Sequence, residues 1–157
     1  MRRISILLLA FCTCFTLAAW PQSPAWSKCS VALLEGTFGY SGQSFVVPNP
    51  SNAALLNLIG LYAPISLAGD ISFDGKGNVT GVDSINLGDG GIPRTYSGTY
   101  QVVDATASVK NCAFTTTFTD SLGLTHDLYM VLARQGQVLE LVNTDPGVIL
   151  SFSCERK

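Results

Sequence analysis

The sequence predicts an all-β protein, an antiparallel up-and-down meander of roughly eight strands that closes into a barrel. Runs rich in Val, Ile, Thr, Phe and Tyr recur at intervals of about 8–12 residues, a spacing typical of strands in sandwiches and barrels. The links between these runs are rich in Gly, Asn, Asp and Pro, the residues that form tight turns. We expect closure because a barrel removes the exposed edges of a meander.

The predicted strands follow these runs in order. They are 32–40, 65–73, 78–87, 92–103, 112–119, 125–134, 137–143 and 147–154. Apolar residues alternate with Ser and Thr in several of them, so we expect one apolar and one hydroxyl-rich face. The link Asp74-Gly75-Lys76-Gly77-Asn78 supplies two glycines that can adopt a positive φ and close a hairpin.

One segment interrupts the pattern of strands. Residues 51–60 predict a short helix between strands 1 and 2, with Ser51 as its N-cap and Gly60 at its end. Because this helix is mostly apolar, we expect it to cover a barrel mouth or an open side of the sheet. Leu55 and Leu58 are then candidates for contact with a ligand.

Residues 1–27 have the three parts of a secretory signal peptide. Met1-Arg2-Arg3 is a positive start, 4–19 is an apolar run, and small residues permit cleavage after Ser27 or after Ala25. The apolar run has about 16 residues, fewer than the ~20 that span a bilayer. We therefore expect a leader that is cleaved during export by the Sec route, to the periplasm or outside the cell.

The remaining residues, 28–157, predict a single β-barrel domain. Nine basic residues less the two leader arginines leave seven against 11 acidic residues, a net charge of −4. The sequence has no cluster of Lys or Arg, which excludes nucleic acid as a partner bound through its phosphates. We also expect no cofactor and no stable insertion of the mature chain into a membrane.

Three cysteines remain after the leader, so at most one disulfide forms within the domain. In an eight-strand meander, odd strands begin and even strands finish at the same end. Cys29 precedes strand 1, Cys112 opens strand 5 and Cys154 closes strand 8, which places all three at that end. Either Cys29–Cys112 or Cys29–Cys154 therefore satisfies the topology.

Several motifs resemble those of a family of small exported bacterial proteins. They are Gly36-Thr37-Phe38-Gly39-Tyr40, the run 73–81, Tyr96-Ser97-Gly98-Thr99-Tyr100 and Thr144-Asp145-Pro146-Gly147, together with Cys112. The resemblance implies a Cys29–Cys112 disulfide. The pattern is also similar to calycin and allene-oxide-cyclase-like barrels, which implies an interior that binds, or less often cyclises, a small apolar molecule.

Arg94, Tyr96 and Tyr100 share one face of predicted strand 4. If that face is internal, they form a polar-tipped aromatic wall of the kind that lines small-molecule pockets. Packing alone would also explain the two tyrosines. The low charge, the apolar strand face and the apolar helix 51–60 lead us to predict a barrel that binds a small apolar ligand in its interior.

Glu35 and His126 are the candidates for a catalytic acid or base in a barrel of cyclase or isomerase type. His126 is the only histidine, so a multi-histidine metal site is excluded, and no metal site is predicted. Asp127 points to the opposite face of the strand from His126, whereas Asp70 on a neighbouring strand could approach Glu35. A third alternative is a non-catalytic structural or adhesive surface protein with a filled core.

Overall fold

The predicted fold class is confirmed. A computed structural model describes residues 28–46, 63–86, 88, 90–109 and 112–157. Within these residues, antiparallel strands close into a barrel in chain order, and the last strand pairs with the first. The eight strands are β1 (Gly36–Val46), β2 (Ala63–Phe73), β3 (Asn78–Asn86), β4 (Gly91–Val102), β5 (Ala113–Asp120), β6 (Thr125–Ala133), β7 (Val138–Asn143) and β8 (Val148–Arg156).

The described residues also contain two 3-10 helices, Val31–Leu34 before β1 and Arg134–Gly136 between β6 and β7. Among the helices of this described part, none is long and apolar enough to cross a bilayer. The predicted leader 1–27 and the predicted helix 51–60, with Leu55 and Leu58, lie outside the described residues.

The first strand begins at Gly36 rather than at residue 32, so the predicted start of that strand was wrong. Leu33 and Leu34 lie in the preceding 3-10 helix and are only 7% and 0% exposed. A strand would point these neighbours to opposite faces, whereas the helical turn brings both into the core. They plug the end of the barrel at which odd strands begin, which we call the closed end. The opposite end is called the mouth.

The predicted alternation is confirmed, and it fixes which face is internal. In β2, Ile65, Leu67, Ile71 and Phe73 are buried in the barrel, while the residues of the other parity point outward, namely Ser66, Ala68, Asp70 and Ser72. The outer face of β2 to β5 is rich in exposed hydroxyl groups, among them Ser66, Thr80, Ser84, Ser97, Thr99 and Thr117.

The half of the lumen next to the closed end is filled by side chains. Phe38, Phe114 and Met130 are each 0% exposed, so no space large enough for a water molecule lies against them. The ring centre of Phe73 lies 5.9 Å from that of Phe38 and 4.9 Å from that of Tyr100. This part of the barrel is therefore packed like an ordinary protein core.

The three cysteines lie at the closed end of the barrel, as the order of strands in a meander predicts. Cys29 and Cys112 form a disulfide, the pair implied by the resemblance, and the alternative Cys29–Cys154 pair is not formed. The Cys29 N–H also donates to the Ala107 carbonyl, which ties the start of the domain to the link before β5. Cys154 is a free thiol buried in the core.

Arg156, at the end of β8, holds the 3-10 helix in place over the closed end. Its guanidinium donates to the carbonyls of Leu33, Glu35 and Gly136. The guanidinium carbon also lies 4.6 Å from the ring centre of Phe38. One side chain thus joins the plug, the last strand and the link between β6 and β7.

Candidate functional site: a charged layer beneath the mouth

Two lumen-facing glycines allow a neighbouring side chain or strand to approach closely. A Cβ atom on Gly81 would lie 2.1 Å from the ring of Tyr96, its partner on β4. A Cβ atom on Gly98 would lie 2.0 Å from the Thr117 carbonyl oxygen on β5. Tyr96 therefore lies across β3, and its hydroxyl donates to the Asp70 carbonyl on β2 at 3.0 Å.

Arg94 occupies the centre of a charged layer on the mouth side of the filled core. Its Nε and Nη2 donate to the two carboxylate oxygens of Asp83 at 2.9 and 2.7 Å, and Nη1 donates to Asp120 at 2.9 Å. The three side chains are almost fully buried, with 9%, 2% and 0% exposure for Arg94, Asp83 and Asp120. Arg94 and Asp83 face each other because they are paired residues of β4 and β3.

Tyr40 connects this ion pair to the aromatic side chains of the barrel. Its hydroxyl donates to the Asp83 carboxylate at 2.9 Å and lies 3.2 Å from the Tyr96 hydroxyl. Its ring stacks on Phe152 of β8 with ring centres 4.9 Å apart. The hydroxyl groups of β1 and β4 are thus held against the charged pair.

His126 extends the layer to the other side of the mouth. Its Nε2 lies 3.2 Å from Asp120, and its Nδ1 lies 3.6 Å from Asp145 in the link between β7 and β8. Asp120 also accepts the backbone N–H groups of Leu122 and Leu124, in the turn between β5 and β6. The layer therefore joins five strands and two mouth-side links, from Tyr40 to Asp145.

The electrostatics of the layer follow from its burial and its partners. Burial opposes ionisation of Asp120, but hydrogen bonds from Leu124 and His126 and the charge of Arg94 outweigh it and lower its pKa. Burial raises the pKa values of the Tyr40 and Tyr96 hydroxyls, so both remain neutral donors. Within the described residues, no buried side-chain nitrogen or oxygen lacks a hydrogen-bond partner.

Apolar side chains border the layer on its mouth side. Leu67 pairs with Ile85, and Ile85 pairs with Ile92, which makes a continuous apolar row across β2, β3 and β4. Ile85 and Ile92 are each two positions closer to the mouth than Asp83 and Arg94, the residues of the charged layer on the same strands. Leu67 and Ile85 are buried and Ile92 is half-buried. The mouth therefore has an apolar wall opposite the polar side that carries His126.

The predicted site residues have different positions. Arg94, Tyr96 and His126 come together in the charged layer. Tyr100 lies in the filled half, where its hydroxyl donates to the Val31 carbonyl at 3.1 Å. Glu35 is exposed at the closed end, so the barrel separates it from His126 at the other end.

Sequence reasoning missed four members of the layer, which are Tyr40, Asp83, Asp120 and Asp145. A signal was available for two of them. Asp83 shares the inward parity of Ile85, and Asp120 shares that of Phe118. A charged residue at an apolar parity position predicts a buried partner of opposite charge, and Arg94 is at such a position on β4.

Comparison with known proteins gives no relative for this arrangement: no family model, curated protein or solved structure matches the chain.

Proposed function

We propose that this protein is an exported binding barrel that takes a small, largely apolar molecule at its mouth. The observation that carries the proposal is the buried layer formed by Arg94, Asp83, Asp120 and His126 beneath one end of a barrel whose other end is filled. The proposed site comprises this layer and the apolar row Leu67, Ile85 and Ile92.

The energetics of the charged layer support a role beyond packing. Replacement of a buried ion pair by apolar residues of similar volume is often neutral or stabilising by about 1–4 kcal/mol. The closed half shows that this chain fills its lumen well with Phe, Leu and Met. Among the described residues, the buried ion pairs lie only beneath the mouth, and this placement is therefore better explained by contact with a ligand than by stability.

The ligand class follows from the two sides of the mouth. The apolar row offers a surface for a hydrocarbon portion, and burial of that portion contributes about 25 cal/mol per Å². His126 and Arg94 lie on the polar side and fix the orientation of a single polar group. Small-molecule pockets commonly combine an apolar lining with a few polar groups in this way.

Export is the second part of the proposal. The Cys29–Cys112 disulfide supports it, because such bonds persist in oxidising compartments such as the periplasm and the cell exterior. The signal-peptide pattern of residues 1–27 gives independent support. Detection of a processed chain that begins near residue 28 in the exported fraction would test it.

A thermal-shift series tests ligand binding. Dodecanol, dodecylamine and dodecanoate share one hydrocarbon chain and differ in the polar group, and sterols and polyenes widen the panel. At least one compound should raise the melting temperature and shift the NMR signals of His126, the only imidazole in the chain. A flat response across the panel contradicts the proposal.

A matched pair of variants locates the site. Ile92→Gln places a polar side chain in the apolar row and should abolish the thermal shift. Val82→Gln changes an exposed residue on the outer face of β3 and should leave the shift intact. Equal loss in both variants, or in neither, would place binding elsewhere.

A further inference from the structure

Positive charge is distributed unevenly along the axis of the barrel. Among the described residues, Arg94 is the only Lys or Arg in the mouth half. The others lie at the closed end: Lys28, Lys76, Arg134, Arg156 and Lys157. Two connections at the mouth carry carboxylates instead, Asp120 at the turn between β5 and β6 and Asp145 in the link between β7 and β8. Such an arrangement attracts a cation, rather than an anion, toward the mouth.

The charged layer itself is negative. Asp83, Asp120 and Asp145 contribute three negative charges and Arg94 contributes one positive charge, a net charge of −2 with neutral His126 and −1 with protonated His126. The Arg94 side chain is only 9% exposed, and its charge is already shared by two carboxylates. An anionic group that entered the mouth would therefore meet net repulsion.

His126 and Asp145 present two hydrogen-bond acceptors side by side. Nε2 of His126 donates to Asp120 at 3.2 Å, so Nδ1 of the neutral ring is an acceptor. Nδ1 lies 3.6 Å from Oδ2 of Asp145, which is longer than a hydrogen bond. The Asp145 oxygens accept the Asp127 N–H and the Asn143 amide, and each oxygen has a second lone pair. A donor with several protons could bridge these two acceptors.

An aromatic ring lies beside the same acceptors. Phe118 points into the lumen from β5 and is half-buried, and its ring centre lies 5.2 Å from that of His126. The face of an aromatic ring attracts ammonium groups. The side chains of His126 and Asp145 are 17% and 16% exposed, so both can be reached from the mouth. We call Phe118, His126 and Asp145 the head-group site.

We propose that the polar group of the ligand is a primary ammonium, so that the barrel takes a long-chain amine rather than a fatty acid. This inference rests on the binding function proposed above and specifies the class of ligand. The ammonium donates to Nδ1 of His126 and to the Asp145 carboxylate, while the hydrocarbon chain lies against Leu67, Ile85 and Ile92. An alcohol has one proton to donate and no charge, and a carboxylate has no proton to donate and the wrong charge.

Titrations of a chain of residues 28–157 at pH 7, followed through the NMR signals of the His126 imidazole, test the order of head groups. The ligands are dodecylamine, dodecanol and dodecanoate, each kept below its micelle-forming concentration. Dodecylamine should bind at least about tenfold more tightly than dodecanoate, with dodecanol between them. Dodecanoate bound as tightly as dodecylamine would overturn this inference and leave the binding function standing. Failure of all three to bind would contradict the binding function itself.

A matched pair of variants separates the head-group site from the overall charge of the chain. Asp145→Asn removes one negative charge at the mouth and should reduce the ratio of amine to carboxylate affinity at least about fivefold. Asp104→Asn removes the same charge from an exposed position in the link between β4 and β5, at the closed end, and should leave the ratio unchanged. An equal fall in both variants, or a ratio that Asp145→Asn leaves intact, would overturn the inference. The comparison of head groups in the wild type decides the matter if Asp145→Asn fails to fold.

Discussion

Replacement of Arg94 by methionine tests the charged layer directly. Arg94→Met keeps most of the side-chain length but removes three hydrogen bonds and the positive charge shared by Asp83 and Asp120. Asp83 would keep the Tyr40 hydroxyl as its donor, while Asp120 would keep two backbone N–H groups and His126. Two buried carboxylates would then lack their principal counter-charge.

The expected loss follows from this burial. Removal of one partner from a buried ion pair costs about 3–5 kcal/mol, because an uncompensated charge remains in a medium of low dielectric constant. Asp83 and Asp120 are 2% and 0% exposed, so water cannot relieve the penalty. The loss should be smaller at about pH 4 than at pH 7, because removal of the Arg94 charge takes away one of the interactions that lower the pKa of Asp120, and acid then relieves its unpaired charge. Arg94→Met combined with Asp83→Asn and Asp120→Asn should recover most of the stability at pH 7.

Guanidinium unfolding at pH 7 and at pH 4 measures these differences, with Arg134→Met as the control. Arg134 is an exposed arginine, and its replacement should change the free energy of unfolding by no more than about 0.5 kcal/mol. A cost below about 1 kcal/mol for Arg94→Met, or an equal cost at both pH values, would refute the reasoning.

Three other predictions concern buried groups of the barrel: the disulfide, two tyrosines and the free thiol. Cys29→Ala with Cys112→Ala should lower the free energy of unfolding in urea by about 4 kcal/mol, because the bond closes a loop with a sequence separation of 83; a change below about 1 kcal/mol would contradict this. Burial raises the pKa values of Tyr40 and Tyr96 in the folded protein above the value near 10 that they have in the unfolded chain. Their contribution to the free energy of unfolding is therefore complete below pH 10 and is lost as the pH rises above it. At pH 11 each tyrosine should lower the free energy of unfolding by about 1.4 kcal/mol. Replacement of either tyrosine by Phe should make the melting temperature fall less steeply with pH. Burial, with the charge of Glu140, raises the pKa of Cys154 to about 12, so a thiol reagent at pH 8 should label a chain of residues 28–157 only after unfolding; rapid labelling of the folded protein would show that this thiol is accessible.

The sequence pattern predicted the strands because their signals are local. Turn residues such as Gly75 and Gly77 adopt positive φ values of 71° and 109°, and alternation in β2 fixed the inward face. The start of β1 was wrong because Leu33 and Leu34 are apolar neighbours that a strand pattern tolerates. Only the assembled barrel, whose closed end these two residues plug, selects the helical turn.

The candidate site could be predicted only in part because its members meet through pairings between distant strands. Arg94, Tyr96 and His126 were identified from residue type and parity. Asp83 and Asp120 were not, although each breaks the apolar parity of its strand. Assigning them to Arg94 requires the register of β3 with β4 and the depth of the β5–β6 turn, neither of which a single segment encodes.

The domain has a fixed polarity along its axis. Cys29 enters the barrel and Lys157 leaves it at the closed end, where the Lys157 N–H donates to the Thr37 carbonyl at 2.9 Å. Any tether joined to either end of the domain would thus hold the barrel by its base. Immobilised through a C-terminal tag, the protein would present its mouth to solution, and a surface-held copy could sample its surroundings without release.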